Sequence, residues 1–293
     1  MSWVLLATIS ALLSAGAAVL QKKSLMTTGA LPFAFVLSFL IMLLSAVFLA
    51  GIDVIAVPPD VLLLLVGKSI IGGTAFLLVM MSLERGQISN VLPLLGLTPA
   101  VTALLSLVLT GEVMRGAEWL GLGLMMGGLY LLEWTPGKKA GMIGRMRAVV
   151  MERRAILLAL LLFAVSSVAD KLLVSTHRTD PRVVLVYQHV IFCLLFGVML
   201  LVRRVPGTLV LAQARKQLPF FFLIAMLTIA YRFTQLEATK DAPVALVLAV
   251  KRTSILYASV LGGKIFLDDR LPVRLAGAAL IVAAGFIILR NVG

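Results

Sequence analysis

The chain has 293 residues, 61% hydrophobic and only 13% charged, with a mean hydropathy of +1.10 and a net charge of +13. Soluble domains are about half apolar and a quarter charged, so the composition excludes a water-soluble globule and predicts an all-α polytopic membrane protein. The excess of basic residues does not mark a nucleic-acid binder, because they punctuate hydrophobic runs instead of gathering on one soluble face.

A membrane-spanning helix needs about 20 mostly apolar residues. The sequence predicts ten of them, at residues 2–21, 31–51, 61–82, 88–110, 117–134, 155–174, 183–203, 218–236, 242–263 and 271–290. The first enters an apolar stretch at Trp3 without the charged leader of a cleaved signal peptide, so it reads as a span. Connectors are short and hold the breakers Pro58, Pro59, Pro136, Gly137, Pro181, Pro206, Gly207 and Pro272. The longest, 135–154, carries Lys138, Lys139, Arg145, Arg147, Arg153 and Arg154, and is predicted to link a first five-helix unit (1–134) to a second (155–293). The single cysteine, Cys193, cannot form an intrachain disulfide and is silent on compartment.

The two units resemble each other. Leu83-Glu84 ends the third span and Leu236-Glu237 the eighth; Gln21-Lys22 closes the first and Asp170-Lys171 the sixth. Glu112 and Gly121 follow the fourth span as Asp268 and Gly277 follow the ninth. Because five is odd, the second copy enters the membrane in the opposite sense. That is an inverted repeat, the frame of many alternating-access carriers, with the site at the repeat interface near the midplane. Four cations lie inside spans: Lys68, Arg232, Lys251 and Arg252. Of the remaining 22, six lie on the side shared by both termini (Arg115, Lys171, Arg178, Arg182, Lys240, Arg290) and the others on the opposite side. The positive-inside rule then puts both termini outside the cell.

A charge at the bilayer centre costs roughly 2.5–3.5 kcal/mol and marks a pathway or ligand site. Lys68 stands roughly 10 Å into the third span at helical rise; it lines a site or snorkels. Lys251-Arg252 stands in the middle of the ninth, where Arg252 offers a fork for a carboxylate or phosphate and Lys251 a point charge. Successive helix positions point about 100° apart, so one of the two is expected to face a cavity, the alternative being an ion pair with Asp170 or Glu84. Tyr231 and Arg232 lie late in the eighth span, and His189 opens the seventh beside Tyr187 and Gln188. His189, Glu84 and Asp170 are the candidates for a proton-coupling group, although both acids sit near span ends. No Asp or Glu is expected as deep as the central cations. Pro93 and Pro99 are expected to kink the fourth span.

The fourth-span Pro99 followed by Glu112, the glycine-patterned fifth span (Gly121, Gly123, Gly127, Gly128), and the recurrence at Asp268, Gly277 and Gly285 resemble the ten-helix EamA-type members of the drug/metabolite transporter superfamily. The resemblance implies carriage of small metabolites, with both termini in the cytoplasm, against the charge count. A weaker similarity links Lys22-Lys23, Lys171 and Lys251-Arg252 to sugar-phosphate translocators, where it implies that the lysine of helix six and the pair of helix nine hold the phosphate. No nucleotide-binding GxxxxGK[ST] or metal-binding HExxH motif is present, so no cofactor or metal is predicted. The sequence reading is a multi-pass inner-membrane secondary transporter, monomer or homodimer. Its substrate is a small anionic or zwitterionic metabolite bound by Lys68, Lys171, His189, Tyr231, Arg232, Lys251 and Arg252. A flippase for a lipid-linked phosphate, or an intramembrane lipid-phosphate enzyme, is the alternative.

Overall fold

The computed structural model describes residues 2–49, 57–85, 95–133 and 154–254, with isolated positions from Tyr257 to Ile287. All but Arg154 of the predicted linker, together with Pro93, Asp268, Gly285 and most of the tenth span, lies outside the described residues. Among the described residues every regular element is helical: α1 (Trp3–Thr28), α2 (Ala30–Ala46), α3 (Pro59–Arg85), α4 (Thr98–Leu109), α5 (Gly116–Glu133), α6 (Arg154–Lys171), α7 (Pro181–Val202), α8 (Gly207–Lys216), α9 (Leu218–Asp241) and α10 (Val244–Arg252). Six of these, counting the short turns that extend α2 and α6, are long and apolar enough to cross a membrane: α1, α2, α3, α6, α7 and α9. The protein is an all-α polytopic membrane protein. Large apolar side chains such as Leu63, Val108, Leu201 and Val202 stand exposed on its outer faces, as a lipid-facing surface requires.

Helix ends follow local backbone chemistry rather than hydropathy. α1 runs past Lys22 and Lys23 and stops at Gly29, whose φ of 77° ends the helix and starts α2. The matching corner between α6 and α7 is turned by Arg178, also left-handed at φ 51°. There α6 ends in a π turn, Leu172–Thr176, with the His177 N–H on the Leu172 carbonyl at 2.9 Å. α8 was not expected: residues 207–216 read as connector, yet they form a short helix that touches α1, α2 and α9 and ends in Arg215 and Lys216.

Packing is symmetrical between the halves. α1 packs along α9 as α6 packs along α3; α2 meets α9 as α7 meets α3; α4 meets α6 as α10 meets α1. α2 packs on α7, and α4 on α10, across the pseudo-axis. Hydrogen bonds give the sense of the repeat. The C-terminal end of α1 bonds to the C-terminal end of α3 (Lys22 Nζ to the Leu83 carbonyl, 2.5 Å) and to the start of α9 (Ser24 Oγ to Gln217 Oε1, 2.6 Å). The C-terminal end of α6 does the converse. Lys171 Nζ donates to the Thr239 carbonyl at the end of α9 (3.0 Å), and His177 approaches Asp60 at the start of α3 (3.8 Å). α1 and α6 therefore run in opposite directions, and the halves are inverted.

Close approach is bought with small residues. Ala7, Ala11 and Ala15 of α1 are fully buried, and Ser10 Oγ reaches the Tyr231 carbonyl at 2.8 Å. A Cβ on Gly73 of α3 would lie 3.0 Å from Leu195 and 3.1 Å from Phe192 of α7. Around this contact Phe76, Phe192 and Phe196 pack ring to ring, with centroids 5.7–6.3 Å apart.

Candidate functional site

Four helices deliver one polar side chain each to a common point in the bundle: Lys68 from α3, Asp170 from α6, Gln188 from α7 and Arg232 from α9. Lys68 Nζ donates to Asp170 Oδ1 (2.5 Å) and Gln188 Oε1 (2.6 Å), while Arg232 Nη2 donates to Asp170 Oδ2 (3.1 Å) and Gln188 Oε1 (2.7 Å). The Lys68 and Asp170 side chains are 0% and 4% exposed. The approach of α6 to α3 that makes this possible depends on Gly72, where a Cβ would stand 2.9 Å from Ser166 Oγ, and on that hydroxyl's bond to the Lys68 carbonyl at 3.2 Å.

This corrects two expectations. Asp170 is near the end of its helix but buried, its side chain 4% exposed. The chain continues beyond it as the π turn, and α3 covers it, so an acid does sit as deep as the central cations. Lys68 neither snorkels nor presents itself to a cavity; its ammonium is used by Asp170 and Gln188.

Beside this network lies a cavity of ≈ 200 Å³. Asp170, Gln188, His189, Tyr231, Arg232, Gln235, Lys251 and Arg252 are among its polar lining, together with Gln21, Thr228 and several serines, and Leu37, Phe76, Met80, Leu83, Phe163 and Phe192 are among its apolar residues. Lys251 Nζ donates to Gln235 Oε1 (2.5 Å) and sits 4.5 Å from the centroid of the Tyr231 ring, a cation–π arrangement. Arg252 Nη2 donates to Thr98 Oγ1 at 3.1 Å, and its Nε is buried without a partner. Neither forms an ion pair with Asp170 or Glu84. Both line the cavity although only one was expected to. Both stand in the last turn of α10.

The other predicted residues fall in three places. His189 and Tyr231 line the cavity; the His189 Nδ1 lies 2.8 Å from the Leu185 carbonyl and its ring rests on Phe192 with centroids 5.4 Å apart. Lys171 is away from the cavity lining, its ammonium spent on the carbonyls of Thr239 (3.0 Å), Lys240 (3.4 Å) and Ala242 (3.0 Å), with Glu112 at 3.7 Å. Glu84 accepts the Ala30 N–H at 3.0 Å and so caps α2. Gln188, Gln235 and Thr98 were missed as site residues. Their signal was present, an amide or hydroxyl within an apolar run, but a neutral polar residue costs less in a membrane than a charge and stands out less.

Residues 1–134 match the sequence model of the EamA-like transporter family. No curated protein matches the chain in sequence. A crystal structure of another protein, 17% identical, superposes with a TM-score of 0.70 over 98% of this chain and 96% of its own; at that identity the likeness speaks for the fold.

Proposed function

We propose, from the premise that this chain is an EamA-type membrane transporter of the drug/metabolite transporter superfamily, that it moves a small anionic metabolite by alternating access. Members of the family are transporters, not enzymes. The carrying observation is the pair Lys251 and Arg252, which reach the cavity with an amide, a hydroxyl and an aromatic face as partners but no carboxylate. Asp170 is held by Lys68 and Arg232 together, so the lining keeps a positive potential that low-dielectric walls strengthen. An entering anion exchanges water for a charge-assisted pair with a guanidinium.

Asp170 serves in this reading as counter-ion to two cations. His189, held by a main-chain carbonyl, orients the cavity wall rather than carrying a proton. The two lysine ties, Lys22 on α3 and Lys171 on α9, stand at opposite ends of the bundle, and each fastens two helices of one half. The protein resides in the inner membrane as a monomer or homodimer, with the face of Lys22, Lys23, Arg215 and Lys216 in the cytoplasm by the positive-inside rule. Purified protein in proteoliposomes tests the reading. Arg252→Ala is expected to abolish uptake of a recognised anion, and Arg252→Lys to restore little if the contact is a fork. Normal flux in Arg252→Ala, or recognition of organic cations alone, overturns it.

A further inference from the structure

We infer that the ligand is an apolar organic monoanion without an ammonium group, of the class of aryl or branched-chain 2-oxo acids, rather than an amino acid or a sugar phosphate. This rests on the anion reading above and narrows it by three features of the same cavity. The first is the fate of its acid. Among the described residues that line the cavity, Asp170 is the only carboxylate. One of its oxygens takes Lys68 and the other Arg232. An α-ammonium entering beside Lys251, Arg252 and Arg232 would meet three cations and no free acid. Serine hydroxyls such as Ser38 and Ser167 can accept its hydrogen bonds but cannot offset its charge, and an unpaired charge in a low-dielectric site is not tolerated.

The second feature is the apolar part of the lining. Leu37, Phe76, Met80, Leu83, Phe163 and Phe192 present aliphatic and aromatic surface. The lining also holds Gln21, Ser38, Ser166, Ser167 and Thr228, so a polyol is disfavoured where it lies over the apolar residues, against which its hydroxyls lose water without gaining partners. An aryl ring or branched chain matches that surface, and phenylalanine faces offer edge or stacked contact. The third is size. An apolar cavity of about 150 Å³ takes a benzene ring, so ≈ 200 Å³ has room for a ring and a short acidic arm. The buried, unpartnered Nε of Arg252 supplies the donor that the arm's carboxylate would use.

The test compares matched probes on the full-length protein in detergent: phenylpyruvate against phenylalanine, and 4-methyl-2-oxopentanoate against leucine, with glucose 6-phosphate as the polar anion. Each pair differs only in the oxo group that replaces the ammonium, so the wild type alone decides even if a variant folds poorly. Thermal stabilisation is expected to give the 2-oxo acids affinities about tenfold or more above their amino acids, as an unpaired buried charge demands, and the effect is expected to vanish in Arg252→Ala. Equal or tighter binding of the amino acids, or binding of glucose 6-phosphate in place of the 2-oxo acids, overturns this inference while leaving the anion reading intact if Arg252→Ala still abolishes it. Failure of both 2-oxo acids to stabilise overturns the inference as well. Stabilisation by organic cations alone removes both.

Discussion

Replacing Asp170 with Ala tests how the bundle tolerates its buried charges. In the wild type one carboxylate pairs with two cations, at 2.5 Å from Lys68 and 3.1 Å from Arg232. The substitution leaves Lys68, whose side chain is 0% exposed, with Gln188 as its one remaining named partner. Removing one member of a buried pair costs about 3–5 kcal/mol because the surviving charge stays desolvated. At about 2–4 °C per kcal/mol for a chain of this order of size, the melting point should fall by roughly 6–20 °C. Lys68→Met should cost less, because Asp170 keeps Arg232 and the thioether fills the lysine's volume. The double variant Lys68→Met/Asp170→Ala should be more stable than the sum of the single losses predicts, with a coupling of about 0.5–3 kcal/mol. Unfolding of the four proteins by heat and by denaturing detergent supplies the cycle. A wild-type melting point for Asp170→Ala, or strictly additive losses, would refute the claim that these groups form one dry network.

Gly73→Ala should cost about 1–3 kcal/mol, the range for overpacking, since the new methyl meets Leu195 and Phe192 at 3.0–3.2 Å; a neutral melting curve would contradict the packing of α3 on α7. Arg178→Gly should be neutral or stabilising because the residue stands at φ 51°, whereas Arg178→Val should destabilise by more than about 1 kcal/mol; equal melting points for both would argue against the left-handed corner. Asp180 caps α7 by accepting the Arg182 N–H at 2.8 Å, and the Arg182 guanidinium at 2.7 Å holds its carboxyl below the usual carboxylate range. A lowered carboxylate stabilises the fold above its unfolded pKa of about 3.9 and loses that contribution as pH falls through the folded value. Asp180→Ala should therefore cost about 1 kcal/mol near neutrality. The gap between wild type and Asp180→Asn, which retains a capping oxygen, should close in acid; a gap that widens in acid would reverse the sign.

Six of the ten expected spans, the first three and the sixth to eighth, were legible because a bilayer demands apolar length and hydropathy reports it directly. Helix ends were less so. α1 continues past its charged residues to Thr28 because Gly29, not Lys22, stops it. α8 escaped because its ten residues mix Gln213, Arg215 and Lys216 with Leu209, Val210 and Leu211, which averages to connector-like hydropathy although a helix sorts them. In the site, the cations announced themselves by lying in apolar runs. Their division of labour did not, because depth along a helix is not depth in a bundle. Lys68 and Arg232 share an acid that the chain places 102 and 62 positions away, and Lys171 is turned from the cavity by carbonyls that no side-chain pattern advertises.

The ties made by Lys22 and Lys171 have a consequence for how this architecture can change over time. Each lysine grips main-chain oxygens, at Leu83 on one side and at Thr239 and Ala242 on the other. Every residue type supplies that acceptor, so the gripped positions are free to drift without loosening the joint. The carbonyl grip of such a fastener leaves no correlated substitutions behind it, and Glu112, 3.7 Å from Lys171, adds a side-chain partner. Methods that infer proximity from paired changes will see the Lys68–Asp170 contact and pass over both lysine ties, although each fastens two helices of one half together.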